Sequence, residues 1–378
     1  MTTSPLVSKT GATTSMRGGG YYSQRTRGAK DVIDKASGML MEAVAALPAP
    51  ADGQPVRIAD FGAADGGTSK KAMHDTVAAI RARFPEKQIV VTYTDLPSND
   101  YSVLFKNMLG LTEEPELSYL IKTPGVFVHA CGVGFHRQLM PDASLDLGFS
   151  ATAMHYISEK PCEITTHVHM VGAKGAEREA FAKRAEADWI NILLARAQEL
   201  RPGGRLVFLN FGIDEEGRYL GHTGEANMFD TYDRLWKGLR DEGRITSEEY
   251  VRATFAQFYR TKEEFSAPLL LGGPAYAAGL RLISARTGVV KCPYRRAFDE
   301  ANGAMSPRAF AESYVPTLRS WSETVFANAL DPARPIEERA EIVDLFYRRY
   351  EDTVTAEPNR HAMDYVHCYL AIEKAGMG

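Results

Sequence analysis

The chain has 378 residues, of which 44% are hydrophobic and 24% charged, with a formal net charge of −4. Those values suit one large domain, or a core with a substantial insertion, around a well-buried interior. A mildly negative, well-mixed surface argues against a nucleic-acid binder, which shows a basic excess or stripe.

The Ser/Thr-rich stretch 1–15 has no apolar signal-peptide core and reads as a disordered tail. No apolar run approaches a membrane span, so a cytoplasmic location and no membrane partner are the expectation. Residues 16–28, with Gly18-Gly19-Gly20 ahead of Tyr21-Tyr22, read as a mobile lid. An amphipathic helix is predicted over 29–47, stopped by Pro48 and Pro50. A β-type run from Val56 to Asp60 then meets a glycine turn and a helical pattern, and a second run closes at Asp95. Residues 144–150 are a third candidate strand. A helix over about 177–200 ends at Pro202-Gly203-Gly204, and 205–212 follow as a strong strand. Strands alternating with helices imply an α/β fold with a mainly parallel sheet. Beyond 213 the pattern is helical and aromatic, with Trp236, Phe255, Phe258, Tyr259, Tyr314 and Trp321. The predicted division is a core of 29–213, 279–290 and 360–378 and a helical cap of 214–278 and 291–359. The last strand is predicted from Tyr365 to Ile372. Cys131, Cys162, Cys292 and Cys368 are too widely spaced for a zinc or redox motif and read as buried free thiols.

Three places carry chemistry. Asp60-Phe61-Gly62-Ala63-Ala64-Asp65-Gly66-Gly67 sits where a strand feeds a helix, so the backbone can approach a ligand closely. Its Gly-x-x-x-Gly spacing is not the Gly-x-Gly-x-x-Gly of a pyrophosphate site. It suits S-adenosylmethionine, which has an amino-acid tail, a ribose and an adenine but no phosphate; the bland alternative is a tight turn without a ligand. Asp95 closes the next strand, where a carboxylate accepts bonds from ribose hydroxyls, or merely initiates a turn before Pro97. His155-Tyr156 follows the strand ending near Ser150, at the ligand-binding edge of such sheets, though a core histidine is the alternative. His129, His136, His167 and His169 are further candidates; His167 and His169 alternate along the chain but lack a Cys or carboxylate at ligand spacing, so no metal site is expected there. A Gly-x-Ser-x-Gly turn and a phosphate-binding Gly-x-x-x-x-Gly-Lys loop are both absent from the sequence.

These blocks resemble the SABATH methyltransferases, from about Gly18 to Ile372. The family's Asp-Leu-Gly-Cys-Ser-Ser-Gly turn is similar to Asp60–Gly66. Its Asn-Asp-Leu-Pro-x-Asn-Asp-Phe block is similar to Thr94–Tyr101, the most specific match. Its Gly-Ser-Phe-Tyr-x-x-Leu-Phe-Pro segment resembles 133–141, and its Ser-Ser-x-x-x-His-Trp-Leu-Ser segment resembles 150–158. The resemblance implies a Rossmann-like class I methyltransferase core under a helical cap. It implies that Tyr22, Asp60, Asp95, Leu96, Gly134, Phe135 and Ser150, with the Gly62 turn, line a site for S-adenosylmethionine and its product S-adenosylhomocysteine. Thr152, His155 and Tyr156 would face the substrate, with Thr152 and Tyr156 replacing a family Tyr and Trp. The family Gln that holds the substrate carboxylate from the lid is lost here, and Gln24 or Arg25 would take its place. A family magnesium site is not matched, because its first Asn aligns with His167 and no Asp-Phe-Asn group follows. The implied reaction is methyl ester formation on a small-molecule carboxylic acid, which is ionised at neutral pH and needs no general base. N-methylation or phenol O-methylation, with His155 as base for a phenol, is the runner-up. A non-catalytic ligand-binding module is the alternative from another class, and a homodimer stays open.

Overall fold

The computed structural model describes residues 25–376. The predicted tail and most of the predicted lid, with Tyr22 and Gln24, lie outside the described residues. Eight strands form one sheet: β1 Val56–Phe61, β2 Ile89–Thr94, β3 Val126–Cys131, β4 Leu145–Ala151, β5 Leu200–Ile213, β6 Arg260–Thr261, β7 Leu280–Val290 and β8 Tyr365–Lys374. Their order is β3-β2-β1-β4-β5-β8-β7, with β6 on β5. The first five strands and β6 pair in parallel, whereas β8 runs antiparallel to both β5 and β7. From β1 the chain builds outward through β2 to β3, then returns to lay β4 on the other side of β1. The carboxyl ends of β1 and β4 therefore flank a topological switch point, the crevice where doubly wound sheets hold ligands.

The centre of the sheet is buried on both faces, and even the polar members of β4 are paired to β1. Asp146 Oδ2 accepts from the Arg57 N–H at 2.7 Å, and Ser150 Oγ donates to the Phe61 carbonyl at 2.7 Å. The helix Lys70–Arg83 follows β1, and the helix Gly175–Glu199 leads into β5. The helices Met228–Asp241, Pro307–Ala329 and Ile336–Ala356 pack on one another through rings. Trp236 lies 5.0 Å from Phe326 and 5.5 Å from Phe346, centroid to centroid.

Three expectations change in detail. The predicted helix over 29–47 is two helices, Arg27–Lys35 and Ser37–Ala46, broken at Ala36, whose φ of −97° and ψ of 2° leave the helical region. Strand β3 escaped the sequence reading: it is the edge strand, and Phe127, His129 and Ala130 are exposed, so no alternation marks it. All four cysteines are free, but only Cys292 and Cys368 are buried; Cys131, at the end of that edge strand, and Cys162 are partly exposed. No helix among the described residues is long and apolar enough to cross a membrane.

Candidate active site

The turn after β1 is held by backbone bonds across the strand ends. The Gly62 and Ala63 N–H groups donate to the Thr94 carbonyl at 2.8 and 3.1 Å. Gly62 has φ 76°, and a Cβ there would lie 2.4 Å from Ala153 Cβ, so only glycine fits. Ala64 also takes a left-handed φ of 49°, which aims its N–H at Asp95 Oδ2, 2.7 Å away. Asp95 Oδ1 accepts from the Leu96 N–H at 2.7 Å. Each carboxylate oxygen thus has one backbone donor and one free lone pair. Burial raises the Asp95 carboxyl, and these two bonds oppose the rise. Asn99 and Tyr101 tie down the backbone on both sides, by bonds to the Ala64 carbonyl (2.7 Å) and the Asp95 carbonyl (3.0 Å). Leu96 lies against Gly134, and the Phe135 ring lies against Gly62. Asp60 sits beneath this turn, only 2% exposed, with Ser69 Oγ donating to it at 2.6 Å. Burial pushes its carboxyl up to about 7; the Ser69 bond opposes this, and the neighbouring Asp95 charge adds to it. Asp60, Gly62, Asp95, Leu96, Gly134, Phe135 and Ser150 therefore gather at the carboxyl ends of β1 to β4.

Past β4 the chain turns through Thr152, whose left-handed φ of 58° is costly for a β-branched residue. Its N–H donates to the Leu209 carbonyl at 2.7 Å, and its Oγ1 lies 3.0 Å from His367 Nε2. Thr152, His155 and Tyr156 line one side of a cavity, and Phe211, Gln257, Tyr259, Trp321 and Tyr365 line much of the rest. About 350 Å³ of space, part of it open to solvent, lies among these side chains. His155 is buried, and its Nδ1 has no hydrogen-bond partner. Its ring meets Phe211 edge-on at 4.8 Å, and burial, with His367 and His169 nearby, drives its pKa well below the usual value. The imidazole is neutral at neutral pH and carries one unspent nitrogen.

Arg25 is not brought into this cavity. It lines a second one with Arg27, Lys30 and Lys70 beside Gly67, while its carbonyl accepts from Tyr294 and Thr317 hydroxyls at 2.7 and 2.6 Å. The adjacent Thr26 does reach the His155 cavity. His167 and His169 are buried; His167 Nε2 lies 3.2 Å from Asp230, and His169 Nε2 lies 3.3 Å from Gln257. Among the described residues, no group of three His, Cys, Asp or Glu is placed to hold a metal ion. Gln257 and His367 went unnoticed in the sequence. A lone polar residue in the run Phe255–Tyr259 marked the first, and a histidine inside the predicted last strand marked the second.

A sequence profile described as SAM dependent carboxyl methyltransferase matches residues 12–375. Gibberellic acid methyltransferase 1 of Arabidopsis thaliana is 26% identical over 241 residues, which cover 57% of this chain and 61% of that protein. Loganic acid O-methyltransferase of Catharanthus roseus is 25% identical over 264 residues, which cover 64% of this chain and 67% of that protein. A solved structure of loganic acid methyltransferase with SAH superposes with a TM-score of 0.74 at 20% identity, covering 96% of this chain and 99% of the other. The superposition shows a shared fold, and the profile spans nearly the whole sequence: the chain belongs to the SAM-dependent carboxyl methyltransferase family.

Proposed function

We propose that this chain forms the methyl ester of a small carboxylic acid, with S-adenosylmethionine as methyl donor. The observation that carries the reading is the cavity of aromatic side chains holding the unpartnered His155, set at the carboxyl edge of the sheet beside the glycine turn. Family membership and relatives named for gibberellic, loganic and indole-3-acetic acids support the substrate class.

The residues around the turn fit the donor. Asp95 keeps a lone pair on each oxygen for a pair of hydroxyls, Leu96 and Phe135 offer apolar contact, and the glycine turn admits a close approach. Bound there, the donor supplies an electrophilic methyl group on a sulfonium. The chain's own task is then positioning and exclusion of water. A carboxylate is ionised at neutral pH, so no residue has to remove a proton. His155, neutral and buried, donates one hydrogen bond to a carboxylate oxygen and leaves the other free to attack. Phe211, Tyr259, Trp321 and Tyr365 cover the acid's apolar body. Trp321 comes from the helix Pro307–Ala329, so the region 214–278 with 291–359 acts as the cap over the substrate.

The test is incubation with methyl-labelled S-adenosylmethionine and a panel of benzoate, phenylacetate, indole-3-acetate and decanoate. Label in an organic-soluble product is expected for at least one acid. Transfer to phenols or amines and to no acid would overturn the reading.

A further inference from the structure

The segment 132–144 crosses from β3 to β4 without helix or strand, and it brings Phe135 against the glycine turn. Phe135 Cε1 lies 3.5 Å from where a Cβ on Gly62 would stand. A backbone of this kind has no ladder to hold it, so its polar groups need partners from elsewhere. For residues 135–140, four such bonds come from the last turn of the helix Gly175–Glu199. Arg196 Nη1 donates to the Phe135 carbonyl at 3.0 Å, and Nη2 donates to the Arg137 carbonyl at 2.8 Å. Glu199 Oε1 accepts from the Leu139 and Met140 N–H groups at 2.5 and 3.2 Å.

The two side chains also hold each other. Arg196 Nε donates to Glu199 Oε2 and Nη2 to Oε1, each at 2.6 Å, and both side chains are fully buried. Taking two charges out of water is costly, and a buried pair often adds little net stability. What the pair does supply is geometry, because the guanidinium is a planar fork with fixed donor directions. The same guanidinium lies over the Phe61 ring, 4.3 Å from its centroid. Phe61 ends β1 and immediately precedes Gly62. One side chain thus touches both walls between which Phe135 and the glycine turn meet. Trp189, Ile192 and Leu193 bury the same helix in the core, so the fork stands on a rigid base.

We propose that Arg196 and Glu199 are positioning residues for the methyl donor, holding segment 135–140 so that Phe135 stands at a set distance from the Gly62 turn and walls the donor's crevice. They act through the backbone of that segment. The inference rests on the proposed donor site and deepens it by naming what holds one wall in place.

The experiment is titration calorimetry of the full chain with S-adenosylhomocysteine, below the melting midpoint of every variant. Arg196→Lys keeps a charge for Glu199 but loses the fork to the two carbonyls. It is expected to raise Kd roughly 10-fold or more. Arg196→Met combined with Glu199→Leu replaces the pair by apolar side chains, so the chain folds without a lone buried charge, and Kd rises at least as much. Phe135→Ala raises Kd by itself, and in that background Arg196→Lys adds less than about twofold, because no ring is left to place. Phe346→Leu, among the buried rings of Trp236 and Phe326, lowers the melting midpoint but keeps Kd within about twofold. The positioning role is overturned, with the donor site left intact, by a parental Kd in both Arg196 variants or in Phe135→Ala, or by full additivity of Arg196→Lys with Phe135→Ala. A matching rise in Phe346→Leu overturns it too, by reducing the effect to stability. A parent chain that binds no S-adenosylhomocysteine overturns the donor site and this role together.

Discussion

Asp95 anchors the turn, each oxygen accepting from a backbone N–H and keeping the second lone pair that the proposed donor site uses. Asp95→Ala is predicted to weaken S-adenosylmethionine by about 2–4 kcal/mol in titration calorimetry; an unchanged affinity contradicts the role. With Asp60 at the proposed donor site, that affinity is predicted to depend on pH. Its carboxyl titrates near 7 in the free chain because it is buried. A cationic ligand favours the ionised form, so binding weakens as pH falls below about 7, and Asp60→Asn flattens the dependence. The linkage to stability has the opposite sense to that of a paired carboxylate. The unfolded group ionises near pH 4 while the folded one stays protonated, so Asp60 costs stability increasingly as pH rises from about 4 to about 7. Thermal midpoints of Asp60→Asn should exceed those of the parent most clearly above that window. The proposed role of His155 is to donate a bond and remove no proton, so His155→Gln should keep more kcat/KM than His155→Leu. Equal inactivity of the two variants would point to a base instead.

At the scale of elements, the turn between β1 and the Lys70–Arg83 helix couples fold to site. Gly62→Ala is predicted to lower stability by about 2–5 kcal/mol, combining a left-handed backbone with the collision at Ala153. Gly217 has a similar φ of 75° but open space around it, so Gly217→Ala isolates the backbone term at about 1–2 kcal/mol. Denaturant midpoints that match for the two variants would remove the packing argument. Such a turn is legible in sequence because glycine spacing reports backbone geometry directly. Asp95 was legible as the residue closing a readable strand, whereas a place for Ser150 at the site came only from the family resemblance. β3 was not, because an edge strand with exposed Phe127 and His129 lacks the burial that produces a pattern. Nor was Gln257, more than a hundred residues from Tyr156 in the chain and joined to it only by the fold.

Over the whole molecule, the strand ends flank one crevice, and segments far apart in sequence close the cavity around His155. Thr26 reaches it from the start of the described chain, Trp321 from the helix Pro307–Ala329, and Met363 and Tyr365 from the approach to β8 and its first residue. The central strands of the sheet could be read from the sequence, since each carries its own signal, but the edge strand β3 could not. The cavity could not, because its shape depends on which rings meet across those segments. The proposed acceptor is a carboxylate, and esters differ from ethers and N-methyl products in one simple property. Labelled product made from the preferred acid should release its methyl group as volatile methanol in mild alkali. A product that keeps its label through that treatment would contradict the claim.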